Sequence, residues 1–131
     1  MIVLDASAVL ELLLGGQRAE KVLPWFEEAE GRIHAPGLLD VEVTQAFRRL
    51  VGAGALDARR GRAAMEIIQE LPVSRHSEPP LLPRLWMLRH PLTAYGAAYV
   101  ALAEALECTL VTFDRKLAGA PGIGAEVALL S

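Results

Sequence analysis

Two aspartates in this chain each close a β-type run: Asp5 follows Ile2-Val3-Leu4, and Asp114 follows Thr109-Leu110-Val111-Thr112-Phe113. Short apolar runs rich in β-branched residues read as strands of a parallel sheet buried on both faces. Such sheets bind their ligands beyond the carboxyl ends of the strands. Two carboxylates delivered side by side at one edge repel, which raises the pKa of at least one unless a cation sits between them. A divalent metal is the simplest such cation. Glu42 is a third candidate, placed in the first turns of a long helical pattern and at the margin of its apolar stripe. From there it can look along the sheet edge from which Asp5 emerges.

The elements that must position these acids alternate strand and helix. Ser7 is the expected cap of a helix reaching Leu14 and ended by Gly15-Gly16. A second helix is predicted over Arg18 to Glu28, with Val22, Leu23 and Phe26 on one face and Pro24 inside it. Arg32 to Ala35 forms a weak strand. The long helix Leu38 to Leu50 carries Leu39, Val43, Ala46, Phe47 and Leu50 at three-and-four spacing. Asp57 caps a helix ending near Glu70, and Pro72-Val73-Ser74 is a short strand. Two more helices, Leu82 to Arg89 and Ala94 to Glu107, lead into the strand before Asp114. The latter buries Ala98, Leu102 and Leu106. A single helical turn, Arg115 to Ala118, and a last strand, Val127 to Leu130, complete the pattern. The glycines between them follow a helix and precede a strand, the reverse of a phosphate-cradling loop, and read as a turn.

Composition narrows the class. The 131 residues suit one domain with a sizeable core, and a net charge of −3 means that a nucleic-acid partner must be met by a local basic patch. Apolar residues reach 53%, high for a small domain, which predicts an oligomer or an obligate partner. One cysteine, Cys108, excludes an internal disulfide and fits a reducing compartment. No targeting or membrane-spanning run is seen, so the expected location is cytoplasmic.

Four stretches together resemble the PIN-domain family, and within it the VapC-type toxins of bacterial toxin–antitoxin pairs. They are Leu4-Asp5-Ala6-Ser7, Glu42 early in its helix, Leu92-Thr93-Ala94-Tyr95-Gly96-Ala97-Ala98-Tyr99-Val100-Ala101-Leu102-Ala103, and Val111-Thr112-Phe113-Asp114-Arg115-Lys116-Leu117. The likeness covers nearly the whole chain, residues 1–131, as a single domain. It implies a three-layer α/β/α fold with a central, mostly parallel sheet, and a Mg²⁺- or Mn²⁺-dependent endoribonuclease that leaves a 5′-phosphate and a 3′-hydroxyl. It also implies a homodimer held inactive by a cognate antitoxin whose tail lies across the site. Gly96 departs from the pattern, because the family normally carries there an acid that is a main metal ligand. As the third residue of a helix capped by Thr93, a carboxylate would suit the positive helix end, whereas glycine costs about 1 kcal/mol relative to alanine. Close packing against a neighbouring backbone is the competing explanation.

In this reading Asp5 is the primary metal ligand, Asp114 and Glu42 complete the shell, and Ser7 orients Asp5 or a water. Arg115, Lys116, Arg89 and His90 are candidates to hold RNA phosphate. With Gly96 in place, metal affinity and turnover are expected to be strongly reduced. The alternative is an inactive scaffold that only dimerises and binds an antitoxin. A phospho-accepting signalling domain fits poorly, since Asp5 is followed by Ala6 rather than a second acid. Plainer roles remain for each residue: Asp5 and Asp114 as solvated strand-end acids, Glu42 as a partner of Arg49, Asp40 as a helix-start acid. His34 and His76 read as isolated, and Trp25, Phe26, Trp86, Tyr95 and Tyr99 as core or interface.

Overall fold

The computed structural model describes residues 1–131. Five parallel strands lie in the order β3-β2-β1-β4-β5, with β1 Ile2–Leu4, β2 Ile33–Pro36, β3 Val73–His76, β4 Thr109–Thr112 and β5 Val127–Leu129. The helices are α1 Ala6–Leu14, α2 Ala19–Glu28, α3 Leu39–Gly52, α4 Ala58–Glu70, α5 Leu82–Met87 behind a 3₁₀ turn, α6 Ala94–Leu106 and α7 Arg115–Gly119. Right-handed crossovers put α1 to α4 in one layer and α5 to α7 in the other, giving the three-layer α/β fold that the alternation implied.

All three residues of β1 are buried, as a central strand covered on both faces requires. Val3 pairs with Leu110 and Leu4 with Val111, so β1 and β4 end level with one another. The chain runs from β1 outward to β3, then crosses back to β4. The boundary between β1 and β4 is therefore where strand order reverses, and a crevice opens there. Asp5 and Asp114 stand immediately beyond it. Helix α6 forms the back wall, with every residue from Ala97 to Ala103 buried. Its alanines let it lie close across β1, β2 and β4.

Several expectations change. The cap of α1 is Asp5, whose carboxylate accepts from the Ala8 amide at 3.0 Å, while Ser7 lies inside the helix. Leu23 faces solvent and Leu106 is half-buried. Asp40 forms a two-pronged ion pair with Arg75 at 2.9 and 3.2 Å, and Arg75 also donates to the carbonyls of Ile68, Leu71 and Val73. On the far side, Arg84 of α5 grips Glu104 of α6 at 2.7 Å and donates to the Gly122 carbonyl, tying the terminal glycine loop to both helices.

The two histidines are partners rather than isolated. Pro36 pairs with His76 and His34 with Ser74, which leaves His34 and His76 diagonal on one face, Nδ1 to Nε2 at 2.8 Å. Burial first, then the charges of His76 and the chain's amino terminus, lower the pKa of His34. The unfolded chain then binds more protons just below the ordinary value of 6.5, so stability should fall as pH drops through that value. The drop in thermal midpoint from about pH 7.5 to about pH 5.5 should be smaller for His34→Gln than for the parent. An equal drop would exclude this pair as the cause.

Candidate functional site

One cleft of about 740 Å³ opens at the switch point, and Asp5, Glu42 and Asp114 all line it. Each acid gets there by a local rule. Asp5 is 5% exposed and held by three donors: Ser7 Oγ at 2.6 Å and the Ala8 amide on Oδ1, and Thr112 Oγ1 at 2.5 Å on Oδ2. Asp114 is solvent-exposed and caps α7, accepting from the Lys116 amide at 2.8 Å. Glu42 sits in the first turn of α3 and accepts from the Tyr99 hydroxyl at 2.6 Å, a bond that joins the two helical layers at the sheet edge.

Thr112 and Ser7 weld these parts together. Thr112 is wholly buried; its hydroxyl donates to Asp5 and accepts from the Asp114 amide at 2.9 Å. Ser7 donates to Asp5 and accepts from the Phe113 amide at 2.9 Å. Each hydroxyl has one proton, and both protons are spent on Asp5. The Asp5 carboxylate is thereby fixed, with lone-pair room left on Oδ2, since an ionised carboxylate offers about four acceptor sites.

Burial raises the pKa of Asp5 and the nearby Asp114 charge adds to it, against the lowering effect of the Ser7, Thr112 and Ala8 hydrogen bonds. Tyr99 is driven well above the ordinary phenol range, by burial first and then by its bond to Glu42. It is a permanent donor at working pH.

The donor set is chemically suited to a hard dication: all oxygens, carrying negative charge that repels itself when no cation is present. Its array is open, however, since no three acidic, histidine or cysteine side chains stand close enough together to hold an ion between them. Gly96 lines the same cleft, and a Cβ added there would come within 2.8 Å of Leu117 Cδ2. The close neighbour is thus a side-chain methyl, not the backbone that the packing explanation supposed.

Arg89, His90 and Lys116 also line the cleft, while Arg115 is not part of its lining. Glu42 has Tyr99 as its partner rather than Arg49. Sequence reasoning passed over Thr112 and Tyr99. Leu4 pairs with Val111, so the next residues, Asp5 and Thr112, are neighbours once the strands are paired. A buried tyrosine among alanines needs an acceptor for its hydroxyl, which points to a polar group nearby.

A family model described as PIN domain matches residues 2–123. The chain is 44% identical over 117 residues to ribonuclease VapC9 of Mycobacterium tuberculosis, which is 89% of this chain and 88% of the relative. Ribonuclease VapC1 of the same organism is 40% identical over 129 residues, 98% of this chain and 96% of the relative. Among solved structures, PAE2754 from Pyrobaculum aerophilum superposes with a TM-score of 0.72 at 25% identity, covering 96% of this chain and 82% of that one.

Proposed function

The chain belongs to the PIN-domain family, among its VapC-type ribonucleases, and on that footing we propose that it is the toxin of a toxin–antitoxin pair whose endoribonuclease is weakened by Gly96. The observation that carries this reading is the convergence of Asp5, Glu42 and Asp114, remote along the chain, on one cleft with cationic side chains at its margin. Asp5 and Asp114 would hold Mg²⁺ or Mn²⁺, with Glu42 supporting. Such an ion, when bound, supplies an acidified water and a counter-charge for the phosphate. Ser7 and Thr112 keep Asp5 in one orientation, Tyr99 does the same for Glu42, and Arg89, His90 and Lys116 draw in the RNA backbone. The expected partners are a cognate antitoxin, an RNA substrate and a second copy of the chain, in the cytoplasm. No helix is long and apolar enough to cross a membrane.

A second reading, a scaffold that binds an antitoxin without cutting RNA, is favoured by the Leu117 methyl packed within 2.8 Å of where a Cβ at position 96 would stand. Calorimetric titration with Mn²⁺, run beside an RNA cleavage assay, separates the two. On the nuclease reading Mn²⁺ binds weakly, RNA is cut slowly, and Asp5→Asn or Asp114→Asn weakens metal binding by about tenfold or more. Intact RNA at every Mn²⁺ concentration supports the scaffold. Metal binding indifferent to both substitutions removes the cleft as its seat.

A further inference from the structure

Side chains able to ligate a cation are not confined to the acidic cleft. His34 stands on β2 and His76 ends β3, in the other half of the sheet, and neither lines the cleft. Both are half-buried. The strands that carry them are paired along four residues, and the Gly37 amide donates to the His76 carbonyl at 2.8 Å just beyond. On this rigid support His34 Nδ1 and His76 Nε2 stand 2.8 Å apart. The rings meet nearly end to end, with centroids 5.1 Å apart and planes inclined by 45°.

Two neutral imidazoles approach so closely by sharing one proton between the facing nitrogens. If that proton moves to an outer nitrogen, both facing lone pairs are free and aimed into the same space. The outer nitrogens, His34 Nε2 and His76 Nδ1, are able to carry it. Neither bonds to a protein group and neither is buried without a partner, so both reach water. Burial, more than the neighbouring charges, holds the pKa of His34 below the ordinary value, so at neutral pH a cation does not have to displace a proton from that ring. The spacing also suits an ion. Imidazole nitrogens bind first-row metals at about 2.0 to 2.1 Å, which puts two ligands at right angles about 2.9 Å apart and two tetrahedral ligands about 3.4 Å apart. The observed 2.8 Å lies close to the first value, and what remains is a turn of each ring out of its end-to-end alignment. Glu78, two residues past His76, is already taken by the Leu38 amide at 2.7 Å. The protein therefore supplies two ligands and water the others.

We propose that His34 and His76 form a two-imidazole clamp for a nitrogen-preferring dication of the Ni²⁺, Cu²⁺ and Zn²⁺ class, separate in place and in chemistry from the carboxylate cleft. Imidazole suits these ions, whereas Mg²⁺ and Mn²⁺ prefer oxygen, so the two places do not compete for one metal. A cation in the clamp takes the position of the shared proton. It ties β2 to β3 just before β2 leads into α3, the helix that carries Glu42. The proposal stands whether or not the chain cuts RNA.

Calorimetric titration of the full chain with Ni²⁺, free of any affinity tag and with excess Mg²⁺ present to occupy the carboxylates, tests this. One Ni²⁺ should bind per chain. His34→Gln and His76→Gln should each weaken it by about tenfold or more, since even an outer-shell partner of a metal is worth that much. Asp114→Asn and Cys108→Ala should leave it unchanged. Ni²⁺ should also raise the thermal midpoint of the parent and not of either glutamine variant. With Zn²⁺ in place of Ni²⁺, a long-range ¹H–¹⁵N spectrum of the parent should place the metal on His34 Nδ1 and His76 Nε2. That spectrum decides the matter if a glutamine variant fails to fold. A parent that binds no Ni²⁺ at millimolar concentration overturns the proposal. So does binding that survives both histidine substitutions, or that is lost with Asp114 or Cys108. Loss in one histidine variant alone also overturns it, because a single ring would then be the contact and there would be no clamp.

Discussion

Gly96→Asp should raise Mn²⁺-dependent RNA cleavage by at least about a hundredfold over the parent chain, since loss of even an outer-shell partner of a metal costs ten- to hundredfold. A chelator should abolish the gain. The geometry favours an acid there: position 96 is the third residue of α6, its amide donates to the Thr93 cap at 3.2 Å, and the helix N-terminus is electropositive. One obstacle is steric. The new Cβ would come within 2.8 Å of Leu117 Cδ2, so that methyl must turn aside, a small adjustment at the far end of a flexible side chain. Gly96→Ala is the control, because it brings the same Cβ without the charge. It should cleave no faster than the parent and change stability by less than about 1 kcal/mol, the helix gain being offset by the displaced methyl. Cleavage restored equally by alanine would show that packing, not a missing ligand, limits the parent chain.

Thr112→Val should lower stability by about 2 kcal/mol although it conserves shape, because two groups lose their partner at once. Asp5 Oδ2 loses a buried donor at 2.5 Å and the Asp114 amide loses its acceptor at 2.9 Å. The thermal midpoint should fall by roughly 5 °C or more, and Thr112→Ser should recover most of it. The same substitution removes one of the bonds that hold the Asp5 pKa down, so its carboxyl should titrate higher still. A valine chain as stable as the parent would mean that Thr112 adds nothing to the aspartate pair. NMR titration of Asp5 in both chains checks the electrostatic half independently.

The strands and the acids that end them were legible because short apolar runs leave few alternatives, and β1 and β4 appear where the pattern put them. Asp57 caps α4 as read, its side chain accepting from the Arg59 amide at 2.7 Å. Cap assignment failed at α1 because Asp5 and Ser7 are both good capping residues, and the choice depends on where β1 stops. The His34–His76 and Asp40–Arg75 pairs were invisible for another reason: they depend on the register of β3 against β2 and on the return of the chain past α3, which periodicity does not encode. Arg115 and Lys116 are adjacent on one short turn, and only its rotation decides that the lysine lines the cleft. Thr112 was hidden by its neighbours, since a threonine in a β-run reads as strand filler until Asp5 is placed beside it.

The pairing of Val3 with Leu110 joins two strands that lie far apart along the chain. A contact so distant along the chain must wait for the segment that carries β4 and bears a loop-closure penalty. The crevice between β1 and β4 thus has no counterpart in the partly synthesised chain, however well the earlier helices have formed. A polypeptide that ends before β4 lacks this crevice altogether.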